Sequence, residues 1–76
     1  MKQERVAITT DYIKLDQLLK FSGIAESGAV AKDMILDGIV LVNGTPCTMR
    51  GKKMRPGDCA EIQFEDETLQ VLVENS

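Results

Sequence analysis

The feature that most constrains the fold is a short apolar run that ends in an Asn-Gly dipeptide. Residues 39–42 read Ile-Val-Leu-Val, and Asn43-Gly44 follows at once. Asparagine and glycine tolerate the positive φ angles of a type I′ turn, whose twist matches that of two paired strands. Residues 45–48 form the predicted return strand, but Pro46 lacks the N–H that a central strand needs. The sequence therefore predicts a hairpin whose second strand lies at a sheet edge or a bulge.

Two short amphipathic segments precede this hairpin. The first carries leucines at the i, i+3 and i+4 positions of one helix face: Leu15, Leu18 and Leu19. Gly23 is expected to end that helix, Ser27 to cap a second one, and Gly38 to end the second. Both segments are shorter than the ~12 to 15 residues at which an isolated helix becomes marginal in water. Each helix is therefore expected to fold only when its apolar face is buried against the other.

Alternating apolar and polar residues predict strands on both sides of the central unit, which spans residues 14–58. Residues 5–10 show a short strand pattern that we expect to pair with a distant segment. The turn at 56–58, Pro-Gly-Asp, is followed by two alternating runs within 59–74. Glu65-Asp66-Glu67 is the predicted turn between those runs. A chain of 76 residues has room for one domain, so residues 1–76 are expected to fold as one.

The charges are segregated along the chain, although the net charge is only −3. Residues 14–58 hold seven bases and five acids, a net charge of +2, whereas residues 59–76 hold five acids and no base. Four bases fall within six residues: Arg50, Lys52, Lys53 and Arg55. A chain with separated charges can present one positive face, so the negative total does not exclude binding to phosphates.

The composition supports neither catalysis nor a metal site. The chain has no histidine, and Cys47 and Cys59 lack C-x-x-C spacing, so both are predicted to be reduced packing thiols. Asp16 and Asp33 are expected to be solvated helix-surface carboxylates. No apolar run has the length of a signal peptide or of a membrane span. We expect a cytoplasmic, non-enzymatic monomer that carries no cofactor or metal ion.

Five short motifs occur in order within residues 14–58: Lys14-Leu15-Asp16, Ser27 with Ala31, Gly38, Val42-Asn43-Gly44 and Pro56-Gly57-Asp58. In this order they resemble the S4 domain, a family named after a small-subunit ribosomal protein. The short flanks, the Ser27-Gly28 pair and the 50–53 run look more like the small stand-alone bacterial S4-like proteins of the YaaA and YbcJ type. The resemblance implies an α+β fold, with two short helices packed on a small, mainly antiparallel sheet.

The resemblance also implies RNA binding through the face that the helices share with the basic loop, the alpha-L motif. The expected partners are structured RNA, ribosomal RNA or ribosome precursors, and further ribosomal proteins, in a bacterial cytoplasm. By position, Lys14 and Arg55 match basic residues of the family pattern. The predicted RNA-binding residues are Lys14, Ser27, Gly28, Lys32, Arg50, Lys52, Lys53 and Arg55. Many S4 domains have an arginine where this chain has Gly28, and loss of that guanidinium removes a bidentate contact that lysine does not replace.

Ser27 and Gly28 also have a physical argument of their own. The first N–H groups of a helix lack intrahelical partners and lie at the positive end of its dipole, so they attract anions. Glycine at position 28 would leave the amides of residues 27–29 open to a phosphate, with Lys32 one turn further along.

Two alternative interpretations remain open from the sequence. The 50–55 run is also typical of a solvated loop, and the acidic residues from Glu61 to Glu74 are typical of a surface that docks a basic protein partner.

No aromatic residue lies within the basic run, and Tyr12, Phe21 and Phe64 are predicted to serve the core. Base stacking is therefore not predicted, which favours recognition of RNA shape and backbone.

Overall fold

The computed structural model describes residues 2–76 and confirms the predicted α+β class. In chain order the elements are β1 (Lys2–Ile8), β2 (Ile13–Lys14), α1 (Leu15–Phe21), α2 (Gly28–Leu36), β3 (Val40–Val42), β4 (Thr45–Pro46), β5 (Lys53–Met54), β6 (Cys59–Gln63) and β7 (Thr68–Asn75). Five strands form one sheet in the order β1-β7-β6-β3-β4, and β2 pairs with β5 in a separate two-stranded sheet. All pairs are antiparallel except β1 with β7.

One apolar cluster joins the helices to both sheets. The predicted leucine face of α1 is confirmed, because all three leucines are fully buried: Leu15, Leu18 and Leu19. Ile35 of α2 and Met54 of β5 are fully buried in the same cluster, together with Ile62 of β6. Since α1 and α2 share this cluster with the strands, neither helix folds on propensity alone.

The helix ends agree with the sequence prediction. Ser27 caps α2, and its Oγ accepts a hydrogen bond from the Val30 N–H at 3.3 Å. Gly23 and Gly38 follow α1 and α2 with φ angles of +83° and +80°, a region that other residues rarely adopt. Neither α1 nor α2 is long and apolar enough to cross a membrane.

The predicted Asn-Gly hairpin is confirmed. Asn43 and Gly44 have φ angles of +51° and +87°, as a type I′ turn requires, and they join β3 to β4. The strand that contains Pro46 lies at the edge of the sheet, also as predicted. This strand, β4, has only two residues. Because it is an edge strand, the N–H that Pro46 lacks removes no hydrogen bond from the middle of the sheet.

The first strand pairs with the last one. β1 covers Lys2–Ile8, so Thr9 and Thr10 of the predicted strand lie after its end. It runs parallel to β7, in a register that places Lys2 opposite Leu69. Arg5 Nη1 lies 3.5 Å from Glu74 Oε1 across these strands. The predicted pairing with a distant segment is therefore confirmed.

Side chains also tie the two turns of the central unit together. Asn43 Nδ2 donates a hydrogen bond to Asp58 Oδ1 at 3.3 Å, and Asn43 Oδ1 accepts one from the Cys59 N–H at 3.0 Å. Asp58 Oδ2 accepts a further bond from the Arg55 N–H at 2.8 Å. The Asn-Gly turn thus anchors the Pro-Gly-Asp turn, and with it the end of the basic run.

Candidate nucleic-acid interface

The basic segment, residues 50–55, is docked by its backbone onto the start of α1. Lys14 occupies the N-cap position but makes no side-chain capping bond. Instead, the Leu15 N–H donates to the Lys52 carbonyl at 2.9 Å, and the Asp16 N–H donates to the Arg50 carbonyl at 3.1 Å. Because the first N–H groups of a helix have no intrahelical partner, these carbonyls replace a capping side chain. The backbone of Arg50 and Lys52 is therefore held beside the start of α1, next to Lys14.

Two lysines face each other across the two-stranded sheet. In the register of β2 and β5, Ile13 lies opposite Met54, and Lys14 lies opposite Lys53. Ile13 and Met54 are buried, so the alternation of strand side chains turns both lysines to solvent. Directly opposed residues have Cβ atoms roughly 4.5–5.5 Å apart, where like charges destabilise the pair. An anion bound here would neutralise both charges.

The bases around the start of α1 have no acidic partners. Among residues 2–76 the structure shows one ion pair, between Arg5 and Glu74. It lies at the edge of the five-stranded sheet opposite to β4. Five exposed bases lie in or beside the docked segment: Lys14, Arg50, Lys52, Lys53 and Arg55. Since no carboxylate of residues 2–76 pairs with them, their charges are available to a ligand.

The acidic turn, residues 64–67, lies at the other end of β6 from the basic segment. The Pro-Gly-Asp turn precedes β6, which begins at Cys59 and ends at Gln63, and the acidic turn follows. Five residues of extended chain span about 17 Å. The three acids of this turn are thus separated from the basic segment along one strand. Glu74 of β7 lies near the Pro-Gly-Asp turn instead, because the Gly57 N–H donates to the carbonyl of the preceding residue, Val73, and Glu74 pairs with Arg5.

The remaining predicted residues lie on α2. Ser27 and Gly28 are half-buried at its start, and Lys32 is exposed. Within the described residues 2–76, no hydrogen bond joins Ser27, Gly28 or Lys32 to the basic segment. A Cβ atom built on Gly28 would meet no other atom within 4 Å, so the start of α2 is open at this position.

The prediction that the aromatic rings serve the core is wrong. Phe21 is 63% exposed, Tyr12 37% and Phe64 38%. At 100° per residue, Phe21 falls outside the stripe that the three leucines of α1 form. Lys53 Nζ lies 5.0 Å from the centroid of the Tyr12 ring, within the range of a cation–π contact. An aromatic ring therefore does accompany the basic segment in space.

The Cys59 thiol is not an activated nucleophile. Both cysteines are free and half-buried, and Cys47 packs against the core. Burial, and then the nearby Glu61 carboxylate, raises the pKa of the Cys59 thiol above its ordinary value. This thiol stays protonated near neutral pH, whereas the thiolate is the nucleophilic form. Residues 2–76 also contain no group of three side chains placed to hold a metal ion.

Comparison with known proteins identifies the family of this chain. A family model described as the S4 domain matches residues 6–72. The chain belongs to the S4 domain family. Its sequence is also 40% identical over 58 residues to the "Probable ribosome maturation protein RlbA" of Bacillus subtilis (strain 168), an alignment that covers 76% of this chain and 82% of the relative. The resemblance predicted from the ordered motifs is confirmed, and the matched range of this S4 domain contains every candidate site residue.

Sequence reasoning missed the exposure of Tyr12 and its contact with Lys53. The residue lies two positions before Lys14, a spacing that puts both side chains on one face when the backbone is extended. A two-residue strand such as β2 is too short to show this alternation in the sequence. The signal becomes visible only when the pairing of β2 with β5 is known.

Proposed function

We propose that this S4 domain binds structured RNA through Lys14 and the basic segment, and that it acts on ribosomal RNA or on ribosome precursors. The observation that carries the proposal is the opposed pair of Lys14 and Lys53, which has no acidic partner. A phosphate between two ammonium groups relieves their repulsion, so RNA turns an unfavourable contact into a favourable one. The ribosomal part of the proposal is supported by the printed name of the Bacillus subtilis relative.

The proposed binding mode follows the phosphate backbone. The five bases around the start of α1 supply one group of contacts, and the open amides at Gly28, with Lys32 one turn further along α2, supply a second. If about four to six phosphates are neutralised, the logarithm of the affinity falls with the logarithm of the salt concentration with a slope of roughly −3 to −5. A salt titration with a structured ribosomal RNA fragment measures this slope.

The double substitution Lys14→Gln and Lys53→Gln tests the lysine pair directly. We expect the affinity for structured RNA at low salt to fall about 10- to 100-fold and the salt slope to become less steep by about two. The free energy of unfolding is expected to change by less than about 1 kcal/mol, because loss of the cation–π contact between Lys53 and Tyr12 offsets removal of the cross-strand repulsion. Denaturant titration and RNA binding on the same samples measure both changes.

The matched control for this test is the double substitution Lys2→Gln and Lys20→Gln. It changes the net charge by the same amount, on two exposed lysines outside the proposed site. We expect the control to retain most of the affinity. An equal loss in both double variants would mean that only the net charge matters, and the proposal for this site would then be wrong.

Gly28→Arg tests the departure from the usual family pattern. Because the position is open, the guanidinium is expected to add one phosphate contact and to raise RNA affinity about 5- to 10-fold. Gly28→Ala is the control, since both substitutions restrict the unfolded chain and are expected to stabilise the fold by about 0.4–1 kcal/mol. Equal RNA affinities of the two variants would show that the start of α2 does not contact RNA.

A second candidate function is the docking of a basic protein partner on the acidic turn. The supporting observation is that the carboxylates of Glu65, Asp66 and Glu67 are exposed and have no basic partner within the described chain, while Phe64 beside them is partly exposed. Surface charges of one sign steer a partner of the opposite sign. This function requires the acidic turn and does not require the basic segment.

A further inference from the structure

A shallow, open groove of about 600 Å³ lies beside the lysine pair. Residues 10–14 line it, together with Gln17 and Phe21 of α1. The chain has three aromatic residues, and two of them, Tyr12 and Phe21, lie in this one groove. Phe21 keeps 63% of its surface exposed there, although burial of a phenylalanine side chain is worth about 1.5–3 kcal/mol. An apolar surface left open beside unpaired cations indicates a ligand that is both flat and anionic.

The polar groups of the groove narrow the class of ligand. Lys14 lines it, and Lys53 lies next to it, because its Nζ is 5.0 Å from the centroid of the Tyr12 ring, which also lines the groove. Exposed aromatic rings next to cations are typical of proteins that bind unpaired nucleotides, because every base has a face that stacks and every nucleotide carries a phosphate. A purely apolar protein segment would leave both ammonium groups without a counter-charge.

We propose that this groove holds an unpaired base of the bound RNA, stacked on Phe21, with the adjoining phosphate between Lys14 and Lys53. Phe21 is the main platform because its ring is the more exposed one, whereas Tyr12 already carries Lys53 Nζ over its ring. The Asp11 carboxylate in the groove repels phosphate, so the phosphate is expected at the lysine side. The amide of Gln17 can both donate to and accept from a base edge.

This inference rests on the proposed RNA binding and specifies which kind of RNA the protein would prefer. A docking surface made only of lysines and arginines would follow the backbone of a perfect duplex as well as that of a looped RNA. A stacking site requires a base that has left the helix, so the protein would prefer RNA with a loop, a bulge or an end beside its helical part. The preference for looped RNA would depend on Phe21, whereas the salt dependence of RNA affinity would depend on the lysines.

The test compares Phe21→Ala with the wild type on two RNAs of equal length, a hairpin with an unpaired loop and a fully paired duplex. We expect the substitution to weaken binding of the looped RNA about 10- to 100-fold and to change binding of the duplex less than twofold. The salt slope is expected to stay the same, because no cation is removed. Phe21→Trp is expected to retain the affinity for the looped RNA.

Phe64→Ala is the matched control, since it removes an exposed phenylalanine at the far end of β6 and is expected to change neither affinity. The exposure of Phe21 predicts an unchanged circular dichroism spectrum and unfolding midpoint for its variant. Equal affinities of wild type and Phe21→Ala for the looped RNA would overturn the stacking site alone and leave the groove to an apolar side chain of a protein. An equal loss on both RNAs would overturn it too. A wild-type protein that binds neither RNA would overturn the proposed function together with this inference.

Discussion

Reversal of the basic segment's charge is expected to abolish most RNA binding. Replacement of Lys52, Lys53 and Arg55 by glutamate lowers the affinity for structured RNA at low salt by about 100- to 1000-fold or more, because three phosphate contacts become three repulsions. All three side chains are exposed, so the fold is expected to persist. The backbone contacts that dock the segment, such as the Lys52 carbonyl with the Leu15 N–H, do not depend on these side chains. RNA binding at two salt concentrations, with circular dichroism on the same samples, measures the effect.

The control for the charge reversal lies in the acidic turn. Neutralisation of this turn by Glu65→Gln, Asp66→Asn and Glu67→Gln is expected to leave RNA affinity unchanged or slightly raised, since β6 separates the turn from the basic segment by about 17 Å. The second candidate function predicts the reverse, with a protein partner lost from this variant and retained by the charge reversal. Retention of RNA by the charge reversal at low salt would be evidence against the proposed interface.

The second large effect concerns the core. Leu18→Ala is expected to lower the free energy of unfolding by about 3–5 kcal/mol, because the side chain is fully buried and a cavity remains. At roughly 0.05–0.15 kcal/mol per residue, a domain of this size has about 4–11 kcal/mol in total. The variant is therefore expected to be partly unfolded at 37 °C, and it should lose RNA binding with its structure. Urea titration followed by circular dichroism measures the midpoint.

Leu36→Ala is the matched control for the core substitution. The same change at a leucine that is 56% exposed on α2 is expected to cost less than about 1 kcal/mol, since little apolar surface is removed from the core. The single apolar cluster predicts that the helices and the strands lose their structure together in Leu18→Ala. Loss of helical signal at a lower urea concentration than loss of the strands would contradict that prediction.

The elements that the sequence predicted well are those whose causes are local. The ends of α1 and α2 depend on Gly23, Ser27 and Gly38, and each acts through its own φ angle or hydroxyl group. The hairpin depends on Asn43-Gly44 in the same way. These backbone and capping preferences act within a few residues, so helix ends and the hairpin turn can be predicted from a single sequence.

The candidate site was predictable only in part. Lys14 and the bases of residues 50–55 were identified as separate signals, and the structure brings them together. The opposed lysine pair was not visible, because β2 and β5 are two-residue strands without any alternation to read. The aromatic residues were expected in the core because they fall outside the basic run in the sequence. The exposure of Phe21 follows from its place on α1 relative to the leucine face.

The sequence by itself determined the number of helices, their ends, the hairpin turn and the segregation of charge, because each of these follows from residues that are neighbours in the chain. Only the tertiary structure decided that β1 pairs in parallel with β7, that the basic segment replaces a cap on α1, and that Tyr12 stands beside Lys53. These contacts join residues that are about 35 or more positions apart, and many alternative pairings of such short strands satisfy the same local preferences. Burial of one shared core selects among them, and that selection depends on the whole chain at once.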